Sequence, residues 1–176
     1  LMGTRVDIAA AVGNGRDAGA VQQAMLHAFA EMERLEALMS RYREGSDVAR
    51  LGAAAGRHAV HVAPEVMQVL RTARRLHRES AGAFGPTIGA LRLVNARHLV
   101  LDERAGTAYL ARSGMGLDLG GVAKLPILQA GLQVLERAGV TDALVNGGGD
   151  VLVMGRQHDR PWRVGVRNPS APAQLL

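Results

Sequence analysis

The longest regular pattern in this 176-residue chain is a stripe of apolar side chains between positions 21 and 42. The members recur at steps of three and four residues, which places them on one face of a helix. We therefore predict a long helix from Ala18 to Arg43 whose stripe packs into a core. The residues of the stripe are Val21, Met25, Ala28, Phe29, Met32, Leu35, Met39 and Tyr42.

Shorter patterns surround this helix. A second helix is predicted from Pro64 to Ser80, since proline suits the first position of a helix. A third is predicted from Pro126 to Ala138, with Gly139 ending it. Alternating apolar residues predict strands at Arg5–Val12, Arg57–Ala63, HLVLD, TAYLA, MGLDL, ALVN and DVLVMG. Because helices and strands do not alternate strictly, we predict an α+β fold with mixed or antiparallel sheets, forming a single domain over residues 1–176.

Composition limits the chemistry. The chain is 48% hydrophobic and contains no cysteine, so it is globular and uses neither disulfides, thiolate metal sites nor cysteine nucleophiles. The net charge of +5 rests on 20 arginines and one lysine, Lys124, and favours anionic partners. An arginine stripe on the second helix is either a nucleic-acid or membrane surface or a solvated helix face. We favour the solvated face and expect no nucleic-acid partner, because base-stacking aromatics are absent nearby. Its members are Arg71, Arg74, Arg75 and Arg78.

Three glycine-containing turns are candidates for chemistry: GAFGPTIG, DLGGVAK and VNGGGDV. Gly120 and Gly121 precede a helix, where backbone N–H groups can approach an anion, and Lys124 adds a charge. The turn is therefore a candidate pyrophosphate seat, although glycine turns are more often only turns. Asp118 and Asp150 could each bind a metal or cap a turn, and the sequence leaves both roles open. No Ser-His-Asp set or carboxylate pair can be argued, so no catalytic residue is assigned.

Taken together, six blocks in order resemble the flavin transferases of the ApbE family, the FAD:protein FMN transferases. The blocks are LMGT, RLEALMSRYREGSDVARL, ESAGAFGPTIGAL, GMGLDLGGVAK, LVNGGGDV and PWRVGVRNP. The resemblance implies an ApbE-like fold, FAD and Mg²⁺ as cofactors, and transfer of the FMN phosphoryl group to a threonine or serine of a target flavoprotein, with AMP leaving. Some relatives hydrolyse FAD to FMN and AMP instead. Such chemistry depends mainly on positioning and charge neutralisation.

The resemblance also implies roles for particular residues. Met2 would pack on the flavin, Tyr42 would line the cofactor site, and the backbone carbonyl of Ala123 would ligate Mg²⁺. The other residues implied to contact or shape the FAD site are Ala83, Phe84, Gly85, Gly120, Lys124, Asn146 and Asp150. The family's location implies a periplasmic protein, or one held near the membrane by an anchor upstream of this sequence.

Departures from the family pattern favour an alternative. The family usually has FDPT where Phe84-Gly85-Pro86-Thr87 stands, and AKGYAVD where this chain has AKLPILQ. The family's later segments, with a histidine and the Asp and Thr ligands of Mg²⁺, have no counterpart before Leu176. The chain could therefore be a degenerate, non-catalytic flavin-binding or scaffold member. A module that binds anionic surfaces through the arginine stripe is the third hypothesis.

Overall fold

The structure, a computed structural model, describes residues 1–12, 17–88, 95–157, 159–166 and 168–170. The predicted turn at residues 13–16 and the end of the GAFGPTIG loop lie outside these ranges. The chain divides into two compact units, one of Leu1–Met2 and Ala30–Ile127 and the other of Gly3–Phe29 and Leu128–Leu176. The prediction of a single domain stays a prediction. In the described part of the chain, no helix combines the length and apolarity needed to cross a bilayer.

Within the described ranges the chain forms four α-helices: α1 (Ala18–Met39), α2 (Asp47–Ala54), α3 (Pro64–Glu79) and α4 (Gly120–Arg137). Helix α2 is additional to the three that were predicted. Helix α1 ends four residues before the predicted Arg43, and Tyr42, assigned to its inward stripe, lies beyond it and is 81% exposed. Helix α4 begins six residues before the predicted Pro126, which lies inside it.

The part of the chain that the structure describes also contains eight short strands, and all of their pairings there are antiparallel. The α+β class with antiparallel sheets is therefore confirmed. The predicted strand at Arg57–Ala63 is reduced to two residues, because only Val60 and His61 pair with a neighbour. In chain order the strands are β1 (Val6–Ala10), β2 (Val60–His61), β3 (Thr87–Ile88), β4 (Leu99–Asp102), β5 (Thr107–Leu110), β6 (Gly116–Leu117), β7 (Ala143–Gly147) and β8 (Asp150–Met154).

The first unit contains the sheet β2-β5-β4 and the pair β3-β6. Helix α2 packs against β2, β5 and β6 through Val48 and Leu51, which are buried. Its N-terminus is capped by Ser46, whose hydroxyl accepts a hydrogen bond from the Ala49 amide at 2.9 Å. Buried Asp47 accepts the Ala63 amide at 2.6 Å, and so ties α2 to the residue that precedes α3.

The second unit is built on the sheet β1-β7-β8. Central strand β7 buries Ala143 and Val145, and each pairs with residues on both sides: Val145 lies opposite Ile8 in β1 and Leu152 in β8. Because β7 is flanked on both edges, its backbone groups are used in two ladders. The β7–β8 hairpin carries the predicted residues Asn146 and Asp150.

Candidate functional site

Two predicted segments of the first unit, those that contain Phe84 and Gly120, meet at the start of α4. Strands β3 and β6 bring two of the glycine-containing turns together, since Thr87 pairs with Leu117 and Ile88 with Gly116. One further backbone hydrogen bond extends this pairing, from the Asp118 amide to the Pro86 carbonyl at 2.9 Å. The GAFGPT and DLGGVAK segments therefore run side by side.

Phe84 is held in place from α3. The Ser80 hydroxyl accepts its amide at 2.9 Å, and Nδ1 of His77 lies 2.7 Å from its carbonyl oxygen. The chain reaches Phe84 through Ala81 and Gly82, which both have positive φ (52° and 90°). Its neighbours Ala83 and Gly85 are exposed. The contact between His77 and Phe84 was not predicted from the sequence.

The ring of Phe84 lies beside Gly121. A Cβ built on Gly121 would stand 3.4 Å from Phe84 Cε2, so the ring edge covers the first turn of α4. Gly121 itself is exposed. An aromatic ring and a helix N-terminus are therefore adjacent, which is an arrangement suited to a ligand with a flat ring and an anionic group.

The backbone amides of the first turn of α4 differ in whether they donate a hydrogen bond within the chain. The Gly120 amide donates to the Asp118 carboxylate at 3.0 Å, and the amides of Val122 and Ala123 donate to the Leu119 carbonyl. Among the described residues no acceptor lies within hydrogen-bonding distance of the Gly121 amide. The chain itself therefore uses one amide of the predicted pyrophosphate seat, because Asp118 caps the turn by accepting the Gly120 amide. The Gly121 amide remains as a donor at the positive end of the helix.

Arg41 links this turn to Tyr42. Its Nη1 lies 3.2 Å from Asp118 Oδ2, its Nη2 donates to the Tyr42 hydroxyl at 2.6 Å, and its guanidinium carbon lies 4.7 Å from the centre of the tyrosine ring. The hydrogen bond to Tyr42 raises the pKa of Arg41, with a smaller contribution from the Asp118 charge. Sequence reasoning missed Arg41, although it adjoins Tyr42 in SRYREGS. The structure therefore places Tyr42 next to the α4 turn through Arg41.

Met2 and Lys124 are the remaining predicted residues of this unit. The Met2 amide donates to Glu36 Oε1 in α1 at 2.8 Å, and the residue adopts a positive φ of 52°. Lys124 lies one turn into α4 and is partly buried. Pro126, two residues later, has no N–H to donate to the Val122 carbonyl, so that oxygen lacks its usual helical partner.

The predicted Mg²⁺ ligand is not part of a complete metal site in the described residues. Ala123 is 6% exposed and lies inside α4, where the regular helical pattern engages its carbonyl. Mg²⁺ prefers six oxygen ligands, usually including carboxylates. No group of three or more His, Cys, Asp or Glu side chains able to hold a metal occurs in the part of the chain that the structure describes. These residues alone therefore do not fit the ion.

Asn146 and Asp150 belong to the second unit, where they shape a hairpin. Gly147 pairs with Asp150, and the Gly149 amide donates to Asn146 Oδ1 at 3.0 Å. Gly148 and Gly149 have positive φ (61° and 101°), as a two-residue hairpin turn requires. The Gly148 amide also donates to the Arg5 carbonyl at 3.1 Å. Both residues thus have clear structural partners, and their assignment to FAD stays a prediction.

Comparison with known proteins identifies the class to which this arrangement belongs. The profile of the ApbE family matches residues 2–92 and 89–176. The chain belongs to the ApbE family.

Named relatives point the same way. The chain is 30% identical to the FAD:protein FMN transferase of Klebsiella pneumoniae (strain 342) over 171 residues, which cover 84% of this chain and 52% of the relative. It is also 30% identical to the FAD:protein FMN transferase of Treponema pallidum (strain Nichols) over 196 residues, covering 90% of this chain and 54% of the relative. The chain therefore spans about half the length of these relatives.

Solved structures share the fold. The ApbE protein of Thermotoga maritima superposes with a TM-score of 0.83 at 23% identity, covering 97% of this chain and 62% of that one. The flavin transferase ApbE of Vibrio cholerae gives a TM-score of 0.82 at 21% identity, covering 95% of this chain and 61% of that one. The predicted ApbE-like fold is confirmed.

Proposed function

We propose that the protein is an FAD:protein FMN transferase, or the portion of one that this chain represents. The family match over nearly the whole chain carries the proposal, together with two relatives that bear this name. In the proposed reaction a threonine or serine hydroxyl oxygen of a target flavoprotein attacks the phosphorus of the FMN half of FAD. The bond from that phosphorus to the bridging oxygen breaks, and AMP leaves.

The α4 turn supplies groups that suit this substrate. The Gly121 amide would donate to the diphosphate at the positive end of the helix, and Lys124 would add a cationic group one turn later. Two aromatic rings lie near the same turn. The Phe84 ring lies beside Gly121, and the Tyr42 hydroxyl is bonded to Arg41, which pairs with Asp118. Their part is to bind and orient the flavin nucleotide, while the base that accepts the hydroxyl proton is not assigned to this chain.

Mg²⁺ dependence is the finer part of the proposal. When bound, the ion would neutralise charge on the diphosphate. Because the Ala123 carbonyl lies inside α4, its assignment to the ion stays a prediction, and the Asp and Thr ligands implied by the resemblance belong to family segments that have no counterpart among these residues. The periplasmic location is likewise proposed from the resemblance. Osmotic-shock fractionation of cells producing the full-length gene product tests it, because a cytoplasmic product would contradict it.

The decisive assay combines the full-length gene product, FAD, Mg²⁺ and a target flavoprotein that bears the acceptor threonine. Transfer is expected to give a fluorescent target band of increased mass, absent when the acceptor is changed to alanine or when EDTA replaces Mg²⁺. FMN and AMP in solution without labelled target would identify an FAD pyrophosphatase instead. The absence of both products would contradict the proposal.

A non-catalytic flavin-binding or scaffold member is the second candidate. The observation that favours it is the internal use of the α4 turn, where the Asp118 carboxylate already holds the Gly120 amide and pairs with Arg41. The replacement of family residues by Leu125 and Pro126 points the same way, although Leu125 is 51% exposed. Titration of FAD by flavin fluorescence separates the cases: binding without turnover favours this candidate, and no binding leaves a scaffold role.

A further inference from the structure

A large groove in the first unit lies outside the α4 turn. It has a volume of about 1440 Å³ and runs along α3. Helix α3 forms one wall from Pro64 to Arg78, and the other wall comes from β4, the turn before it and the loop that leads to β5. A groove of this size exceeds what a small molecule usually fills, since such pockets measure roughly 300–1,000 Å³.

The walls of the groove are strongly cationic. Glu103 is the one acidic residue among the described residues that line the groove, and it pairs with Arg71 at 3.2 Å. Arg75 approaches Glu79 at 4.0 Å. Three further arginines line the groove with no carboxylate within 4.0 Å in the described ranges, and we call them the arginine trio: Arg74, Arg78 and Arg97. The groove therefore carries a net positive charge that an anionic occupant would neutralise.

Apolar residues also line the groove, although Met67 and Leu99 are buried, at 8% and 2% exposure. Val62, Met67, Leu99 and Val100 line the groove, and Val100 is 51% exposed. Among the lining residues that the structure describes, none is aromatic. Proteins that bind single-stranded nucleic acid without sequence preference use aromatic side chains on which bases stack, so this groove does not favour nucleic acid. A bilayer presents a broad surface that does not enter a groove, so a membrane is not favoured either. A polypeptide with both acidic and apolar side chains fits these walls better.

An open strand edge borders the groove. In the described part of the chain, β4 pairs only with β5. The Ala111 amide donates to the His98 carbonyl at 2.9 Å, so the alternation of antiparallel pairing turns the backbone groups of Leu101 away from β5. The Leu99 amide donates to the Ala96 carbonyl, so in the described part of the chain this edge offers an extended peptide the Leu99 carbonyl and both backbone groups of Leu101, which follows the lining residue Val100.

We propose that this groove binds an extended acidic segment of a partner protein, which pairs with β4 while its carboxylates meet the arginine trio. Added strands gain main-chain hydrogen bonds from the edge, and their alternate side chains are read by the flanking walls. The proposal does not rest on flavin transfer, and the outcome of the transferase assay leaves it unchanged.

The test uses a fluorescein-labelled decapeptide of alternating Glu and Val, titrated with the protein and followed by fluorescence anisotropy. We expect saturable binding that weakens as salt screens the charges. The triple variant Arg74→Gln/Arg78→Gln/Arg97→Gln should weaken binding about tenfold or more. A matched triple variant, Arg112→Gln/Arg137→Gln/Arg160→Gln, removes the same charge from exposed residues outside the groove and should change binding less than about twofold.

Three further probes complete the test. A peptide with N-methyl groups on alternate residues facing β4 should lose most of its affinity, because methylation removes the N–H donors that pair with the edge. A Lys-Val decapeptide should not bind. The proposal is overturned if the Glu-Val peptide fails to bind, if both triple variants weaken it equally, or if N-methylation has no effect. Tighter binding of oligothymidylate or phosphatidylglycerol vesicles, lost in the groove variant, would also overturn it in favour of those anions.

Discussion

Phe84 and Gly121 lie in contact, because a Cβ on Gly121 would stand 3.4 Å from Phe84 Cε2. The contact joins two segments that are distant in sequence and already paired through β3 and β6. It places an aromatic ring beside Gly121, the residue of the first α4 turn whose amide lacks an acceptor among the described residues. Several consequences of this geometry can be measured.

Replacing Gly121 with valine should weaken FAD binding about tenfold, because a branched side chain displaces the Phe84 ring and crowds the free amide. Gly121→Ala is the matched control: its Cβ would make ordinary contact with the ring, and we expect a change below about threefold. Flavin fluorescence titration gives both affinities, and urea unfolding checks that the variants stay folded. If the two variants bound FAD with equal affinity, FAD would not bind at the α4 turn.

Replacing Asp118 with asparagine tests whether an anion sits at the same turn. The asparagine oxygen can still accept the Gly120 amide, so the free energy of unfolding should change by less than about 1 kcal/mol. Removing the negative charge should raise the affinity for ADP and FAD about three- to tenfold at low salt, and less at high salt.

Calorimetric titration at two salt concentrations measures this effect. Asp118→Ala serves as the comparison, because it loses the acceptor as well and should cost about 1 kcal/mol of stability. An unchanged ADP affinity in the asparagine variant would count against a diphosphate seat at this position.

The sequence predicted some elements well and missed others for identifiable reasons. The α1 stripe has a strong period, and Met32, Leu35 and Met39 are buried as expected. Helix α2 was missed because eight residues give little periodicity, although Ser46 before an apolar run was a capping signal.

The start of α4 was misplaced because two glycines and a later proline are poor helix formers. Its buried residues Val122, Ala123, Ile127 and Leu128 indicate that packing overrides this local preference. The anion seat at Gly120, Gly121 and Lys124 could be proposed from the local pattern, whereas Met2, Tyr42, Phe84 and their neighbours could be proposed only through family resemblance. The proximity of Phe84 to Gly121 follows from the pairing of β3 with β6, and the Arg41–Asp118 pair joins segments that are distant in sequence, so no local pattern reveals either.

A pH-dependent contribution to stability is expected from Glu65, in the first turn of α3. Its carboxylate accepts a hydrogen bond from Arg34 of α1 at 2.5 Å, and this bond lowers the pKa of Glu65 below its ordinary value. A lowered folded-state pKa stabilises the protein above the unfolded-state pKa, and this stabilisation is lost as the pH falls through the folded-state pKa. Both side chains are more than a third exposed, so the contribution should not exceed about 1 kcal/mol at neutral pH.

A double-mutant cycle with Glu65→Gln and Arg34→Gln isolates this pair. Urea unfolding at neutral pH should give a favourable coupling, and the coupling should vanish once the pH is below the lowered pKa of Glu65. A coupling that is independent of pH would show that the ion pair is not its source.

Gly148 and Gly149 offer a matched pair of substitutions in the β7–β8 hairpin. Both have positive φ, so alanine is strained at either position, by about 1 kcal/mol or somewhat more. A Cβ on Gly148 would also collide with the Thr4 hydroxyl, whereas a Cβ on Gly149 would meet no atom within 4 Å. Gly148→Ala should therefore lower the free energy of unfolding by at least about 1 kcal/mol more than Gly149→Ala. Adding Thr4→Ala should recover part of the loss in the Gly148 variant and none in the Gly149 variant. Equal losses at the two positions, measured by urea unfolding, would mean that backbone strain alone requires these glycines.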